Sequence, residues 1–210
     1  MAFADVPGQL ALIADEIAEH MLAKNKAREA GLSASRGAIR LSANSIRAVH
    51  RGEFAKAEEL AAQAGGLLKD AAEAMREHPD IFHAGFIHDG QKEFAEASLT
   101  AALVSGKALP GPSDLGVEDQ AYLNGLGEAV GELRRHLLDK LREGDLARCE
   151  ACLEAMDEIY GVLVTFDYPD AMTGGLRRTT DAVRGILERT RGDLTVAVVQ
   201  KRLEDKLSSG

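Results

Sequence analysis

Gln91-Lys92-Glu93-Phe94-Ala95-Glu96-Ala97-Ser98-Leu99-Thr100-Ala101-Ala102-Leu103-Val104 decides the fold of this chain. Its apolar residues are not held to the strict alternation of a half-buried strand, since Phe94-Ala95 and Ala101-Ala102-Leu103-Val104 break it, and they spread around nearly the whole turn of a helix. A helix that is apolar on almost every side is a buried one. This one carries carboxylates into the interior with it, because Glu93 and Glu96 sit among Phe94, Ala95, Ala97 and Leu99. Buried carboxylates must be paired, protonated or bound to metal.

A second acidic pair lies further on, in Gly127-Glu128-Ala129-Val130-Gly131-Glu132-Leu133. The spacings of three and four residues put each pair on one helical face. At about 100° per residue, Asp89, Glu93, Glu96 and Thr100 share a sector of about 60°, and Glu128 and Glu132 lie about 40° apart with Asp139 between them. The break Gly106-Lys107-Ala108-Leu109-Pro110-Gly111-Pro112-Ser113-Asp114-Leu115-Gly116 lets the two helices pack side by side. Four carboxylates then converge unless they are merely solvated, as acids on helices commonly are.

Outward from this centre the periodicity stays helical. Helices are predicted over Pro7–Ala30, Ser33–Arg51 (with Ser33 and Ser35 as capping hydroxyls), Glu53–Arg76 and Pro79–Ser105. They continue over Glu118–Arg142, from beyond the interruption at Gly144-Asp145 to Phe166, from the loop at 167–175 to Thr190, and from a capping Asp193 to Lys206. The fold class is therefore all-α: one domain over residues 1–210, an antiparallel bundle of about seven or eight helices. Aromatics make up only 4% of the chain and Trp is absent, so Ala, Leu, Ile and Val must build the core, which suits close helix packing. No stretch approaches the roughly 20 apolar residues of a membrane span. Met1–Pro7 lacks a basic stretch leading into an apolar run, so a cytoplasmic location is expected.

The donor set narrows the chemistry. Di-iron bundles use Glu-x-x-His, and none of the six histidines has a Glu three residues before it. Cys149 and Cys152 lack the further ligands of a zinc site and read as two cysteines one helical turn apart. Oxygen ligands alone favour Mg²⁺, Mn²⁺ or Ca²⁺. A carboxylate-held Mg²⁺ suits phosphodiester hydrolysis.

The net charge of −9 disfavours nucleic acid, but its distribution does not. Between Lys24 and Arg51 the only acid is Glu29, and Arg36, Arg40, Arg47 and Arg51 fall within about 60° on one helix face. Such a stripe either pairs with acids elsewhere or tracks phosphates. Arg177 and Arg178 begin a second basic cluster, diluted by Asp181 and Glu188.

These residues resemble the translin family and its partner, translin-associated factor X (TRAX). The resemblance rests on Leu32–Arg40 and Ile46–Gly52, on Gly90–Ala97 (similar to a Gln-Glu-Tyr-Val-Glu-Ala core), on Tyr122–Leu133, and on Asp167–Asp170 with Leu176–Arg184. It implies an all-α fold and a Mg²⁺-dependent endoribonuclease, with Mn²⁺ as a possible substitute. The nuclease carboxylates fall on Glu93, Glu96 and Glu128, with Glu132 a further nearby acid. It also implies a hollow oligomer, a homo-octamer, enclosing single-stranded or short duplex RNA. Arg36, Arg40, Arg47, Arg177 and Arg178 are the expected RNA contacts. Glu128 stands where the eukaryotic subunit has Asp, and Ala121 replaces an acid before the Tyr-Leu pair. A non-catalytic RNA- or DNA-binding shell, as translin itself is, remains the alternative.

Overall fold

The computed structural model describes residues 6–208, and no strand forms among them. The first five residues, on which the leader argument partly rests, lie outside it. Among the described residues nine helices follow in order: α1 (Val6–His50), α2 (Phe54–Ala74), α3 (Pro79–Phe82), α4 (Phe86–Ser105), α5 (Pro112–Leu115), α6 (Asp119–Glu143), α7 (Leu146–Leu163), α8 (Asp170–Thr173) and α9 (Leu176–Ser208). Three of these, α3, α5 and α8, are single turns of four residues. No helix among the described residues is long and apolar enough to cross a membrane.

Three expected boundaries move, two because a side chain finds a tertiary partner instead of a local one and the third through the backbone of a glycine. The two helices expected over 7–51 are a single helix of 45 residues. Ser35 does not cap; its buried hydroxyl donates to the Phe86 carbonyl at 2.6 Å. Gly31 does not break the helix either. It makes room, since a Cβ there would stand 2.7 Å from Met75 Sδ and 2.9 Å from Phe86 Cε2. Asp193 likewise does not start a last helix, because its carboxylate accepts from Arg134 Nη2 at 2.7 Å and α9 runs straight through. The opposite change occurs at 79–105, where Gly85 at φ 98° separates α3 from α4. That left-handed conformation suits glycine and ends a helix.

α1 packs against α2 and α4, α4 against α6, and α6 against α7 and α9. The seam of α1 is made of small residues: Ser35, Ala38, Ser42 and Ser45 are buried, as are Ala57, Ala61 and Ala64 opposite them on α2. Small side chains let the helix backbones approach closely, and Ser45 meets its need for an acceptor by donating to the Ala57 carbonyl. The main core lies on the other side, where Leu99, Val130, Leu133, Met156, Leu163, Val183 and Leu187 join α4, α6, α7 and α9. Fully burying each such side chain contributes about 1.5–3 kcal/mol. Cys149 and Cys152 are buried, unbridged members of a smaller cluster with Leu137 and Leu194.

Both long helices run beyond this packing. Leu10, Leu12, Ile13, Ile17, Met21 and Leu22 at the start of α1 are exposed, as are Val196, Val199, Leu203 and Leu207 at the end of α9.

Candidate functional site

The site is set by Asn124-Gly125-Leu126-Gly127-Glu128, where α6 meets α4 on one side and α9 on the other. A Cβ on Gly125 would stand 2.7 Å from the Lys92 carbonyl oxygen and 2.9 Å from the Glu96 amide nitrogen. The two backbones therefore touch here. Gly127 makes room toward α9 in turn, where a Cβ would run into the Thr179 side chain. Buried Asn124 ties the three elements together. Its Nδ2 donates to the Gln120 and Thr173 carbonyls, each at 2.8 Å, and its Oδ1 accepts from Thr179 Oγ1 at 2.6 Å.

This contact brings Glu128 from α6 against Glu93 and Glu96 from α4. One carboxylate oxygen from each lies within 4.8 Å of the others. Glu96 is the most enclosed of the three, and its carboxyl is pushed up to about 8 by burial first, then by the charges of Glu128, Glu93 and Glu132. Burial also pushes the Glu93 carboxyl up, against the opposing pull of Lys92.

Lys92 stands inside the cluster. Its Nζ donates to Glu128 Oε1 at 2.6 Å and lies 3.6 Å from Glu93 Oε1. Burial alone would lower this ammonium, but the hydrogen bond to Glu128 and the surrounding carboxylates raise it. Sequence reasoning missed Lys92. The available signal is its spacing of four from Glu96, which places a cation on the carboxylate face of the same helix.

Glu132 is not one of the three converging groups. Its Oε2 accepts from the nearly buried His50 Nε2, and Arg135 Nη1 stands 3.8 Å away. The hydrogen bond from His50 holds the Glu132 carboxyl below its ordinary range. A histidine from α1 thus claims the acid that the helical wheel groups with Glu128.

The arginines divide. Arg178 borders a cavity of about 430 Å³ that also exposes Glu96 and Glu128 and whose apolar wall includes Ala182, Val183 and Ile186 of α9. Arg177 faces a separate cleft with Tyr168 and Asp170. Arg36, Arg40 and Arg47 are exposed on α1 and line neither space. Arg47 donates to Asn44 Oδ1, and Arg51 is paired with Glu53. Neither Arg36 nor Arg40 meets a carboxylate among the described residues.

The donor set fits a hard divalent cation. It is oxygen-only, partly enclosed, and carries more negative charge than one lysine neutralises. Among the described residues no other group of three or more acids, histidines or cysteines converges in this way.

No family model matches the chain. Among curated proteins, an uncharacterized protein of Methanocaldococcus jannaschii is 32% identical over 124 residues, which cover 59% of this chain and 55% of that protein. The match thus spans about half the length of that relative. Among solved structures, the crystal structure of archaeal AfC3PO superposes with a TM-score of 0.82 and 36% identity, covering 89% of this chain and 97% of the other. The structure of AfC3PO in complex with duplex RNA gives the same values. Apo-NeC3PO, at 20% identity and a TM-score of 0.79, covers 88% of this chain and 96% of the other and shares the fold. The C3PO proteins are of the translin/TRAX type. With more than a third of its residues identical over almost the whole of AfC3PO, this chain belongs to the translin/TRAX family.

Proposed function

We propose that this chain is a metal-dependent endoribonuclease: Glu93, Glu96 and Glu128 hold Mg²⁺, Mn²⁺ being able to replace it, and RNA is the substrate. The observation that carries this reading is the convergence of three carboxylates from α4 and α6 within 4.8 Å. The duplex-RNA complex of AfC3PO supports the choice of substrate. A divalent cation held there would lend positive charge to a phosphodiester and acidify a water molecule. Glu93 and Glu128, one on each helix, fix the width of the site. Glu96, the most enclosed, must lose its proton to serve as a ligand. Glu132 acts as a supporting acid, oriented by His50 and adding negative potential at Glu96. Arg178 borders the same cavity and is placed to bind a backbone phosphate.

The same reading makes the chain one translin-like helical domain, located in the cytoplasm and self-associating, with the family's octamer as the expected count. The apolar faces left exposed on α1 and α9 support self-association. Light scattering of the purified chain measures the count.

A second reading, a non-catalytic RNA- or DNA-binding shell, is favoured by Lys92, which already neutralises part of the cluster. One assay separates the two. Single-stranded and duplex RNA are incubated with the protein in Mg²⁺ or in chelator, beside the Glu93→Ala/Glu96→Ala variant. Cleavage is expected in Mg²⁺ alone and only from the unmodified chain. Cleavage that persists in chelator and in the double variant refutes the metal site, and retention of RNA without cleavage favours the shell.

The α1 stripe has its own test. An Arg36/Arg40/Arg47 triple alanine variant should bind RNA more weakly, with a log–log salt slope shallower by about 2 on single strands. An unchanged slope would put the RNA surface elsewhere.

A further inference from the structure

Three ionised carboxylates around a single divalent ion leave one net negative charge, and a phosphodiester brings another. In a partly enclosed site that repulsion is poorly screened. The structure already holds a compensating charge at this place. Lys92 Nζ, on a side chain 22% exposed, contacts Glu128 at 2.6 Å and lies 3.6 Å from Glu93, so it spans the α4–α6 junction at the candidate ligands themselves. It sits where an incoming cation must compete with it.

We infer that Lys92 is the second cation of this site: its ammonium rests on Glu128 and Glu93 until a divalent ion takes those carboxylates, then turns to the substrate phosphodiester. The inference rests on the nuclease reading and adds to it a catalytic residue and a stoichiometry. With Lys92 present, one divalent ion brings the cluster to neutrality, so no second ion is required before RNA can approach. Lysine suits such an exchange better than arginine would. Its ammonium is a compact charge on a flexible four-carbon stem, whereas a guanidinium would lock bidentately onto one carboxylate. The neighbours favour release. Each of the two carboxylates that hold Lys92 is also a candidate ligand, so a bound divalent ion weakens both contacts at once.

The test uses the full chain and two readouts, Mn²⁺ binding without RNA and single-turnover cleavage of a labelled single-stranded RNA. The unmodified chain is expected to bind one Mn²⁺ per subunit by calorimetry or electron paramagnetic resonance. Lys92→Gln should bind Mn²⁺ about 10-fold more tightly, since no ammonium has to leave. At saturating Mn²⁺ it should cleave at least about 100-fold more slowly, as expected on losing a charge aimed at the reacting phosphate. Lys92→Met, which keeps the apolar stem, carries the same two expectations if the glutamine variant folds poorly. Lys92→Arg should recover part of the rate.

A residue that merely props the helices apart would not tighten metal binding while slowing cleavage. Unchanged or weaker Mn²⁺ binding by the Gln and Met variants, or unchanged cleavage, overturns the inference, as do two tightly bound Mn²⁺ per unmodified subunit. The nuclease reading is judged on the unmodified chain. If that chain neither binds Mn²⁺ nor cleaves, both readings fall, whereas an active parent with unaffected variants removes Lys92 alone.

Discussion

Without divalent ions, Glu96→Gln is expected to melt roughly 3–6 °C above the parent chain at pH 9 and about a third as far above it at pH 5.5. The argument starts from burial. In the folded, metal-free protein the Glu96 carboxyl is raised from 4.5 to about 8. Above pH 4.5 the unfolded chain releases this proton while the folded chain keeps it. Stability therefore falls as pH rises, until Glu96 itself ionises near pH 8, and stays low beyond. At about 1.4 kcal/mol per pH unit the full gap bounds the cost near 5 kcal/mol, and relaxation with water entry reduces it to about 1–2 kcal/mol. Glutamine keeps the shape and has no charge to desolvate, so the variant escapes the loss.

Adding Mn²⁺ should reverse the order. A cation bound to the native parent at about 100 times its dissociation constant adds about 2.7 kcal/mol, and Glu96→Gln, short of one anionic ligand, should gain far less. Its cleavage rate is expected to drop about 10³-fold. Melting curves followed by circular dichroism at both pH values, in chelator and in Mn²⁺ at one protein concentration, check all of this together. A difference equal at pH 5.5 and pH 9 would mean that Glu96 is an ordinary solvated acid.

The sequence revealed the helical class because periodicity is a local property, and the apolar run around Glu93 and Glu96 survives intact as α4. What it could not show is which signals a tertiary partner overrides. Ser35 and Asp193 look like caps, and in the structure their side chains bond to Phe86 and Arg134 on other helices. Gly31 and Gly192 look like breaks, yet both lie inside continuous helices.

The candidate site divides along the same line. Glu93 and Glu96 share a face by spacing alone, and their meeting with Glu128 follows once the two helices pack side by side. On a wheel, however, Glu132 is as good a candidate as Glu128. Its fate is decided by His50, some eighty residues earlier, which no periodicity connects to it. The arginines show the same limit. Arg177 and Arg178 are neighbours in sequence, but the turn of α9 sends one to a separate cleft and the other to the carboxylates.

The glycines of α6 give the sharpest case and the second large expected effect: Gly125→Ala should destabilise the protein by about 1–2 kcal/mol, and Gly131→Ala should stabilise it by about 0.5–1 kcal/mol. As sequence the two positions are alike, each a glycine in a helix interior that costs about 1 kcal/mol relative to alanine. Their surroundings differ. A Cβ on Gly131 meets nothing within 4 Å, so alanine gains its helix propensity without conflict. A Cβ on Gly125 falls 2.7 Å from the Lys92 carbonyl oxygen and 2.9 Å from the Glu96 amide nitrogen. Those are backbone atoms, which no change of rotamer can move aside. The helices must part, and the overpacking cost of about 1–3 kcal/mol outweighs the propensity gain. Because the same contact sets the distance from Glu128 to Glu93 and Glu96, parting α6 from α4 also widens the carboxylate cluster. A displacement near 1 Å is enough to slow a positioned reaction about 100-fold. Gly125→Ala should therefore lose Mn²⁺ affinity and cleavage together, while Gly131→Ala keeps both. Urea unfolding, Mn²⁺ titration and the RNA assay on the two variants side by side give the comparison. Equal shifts in stability at the two positions would show that helix propensity alone governs them, and that α4 and α6 do not meet at Gly125.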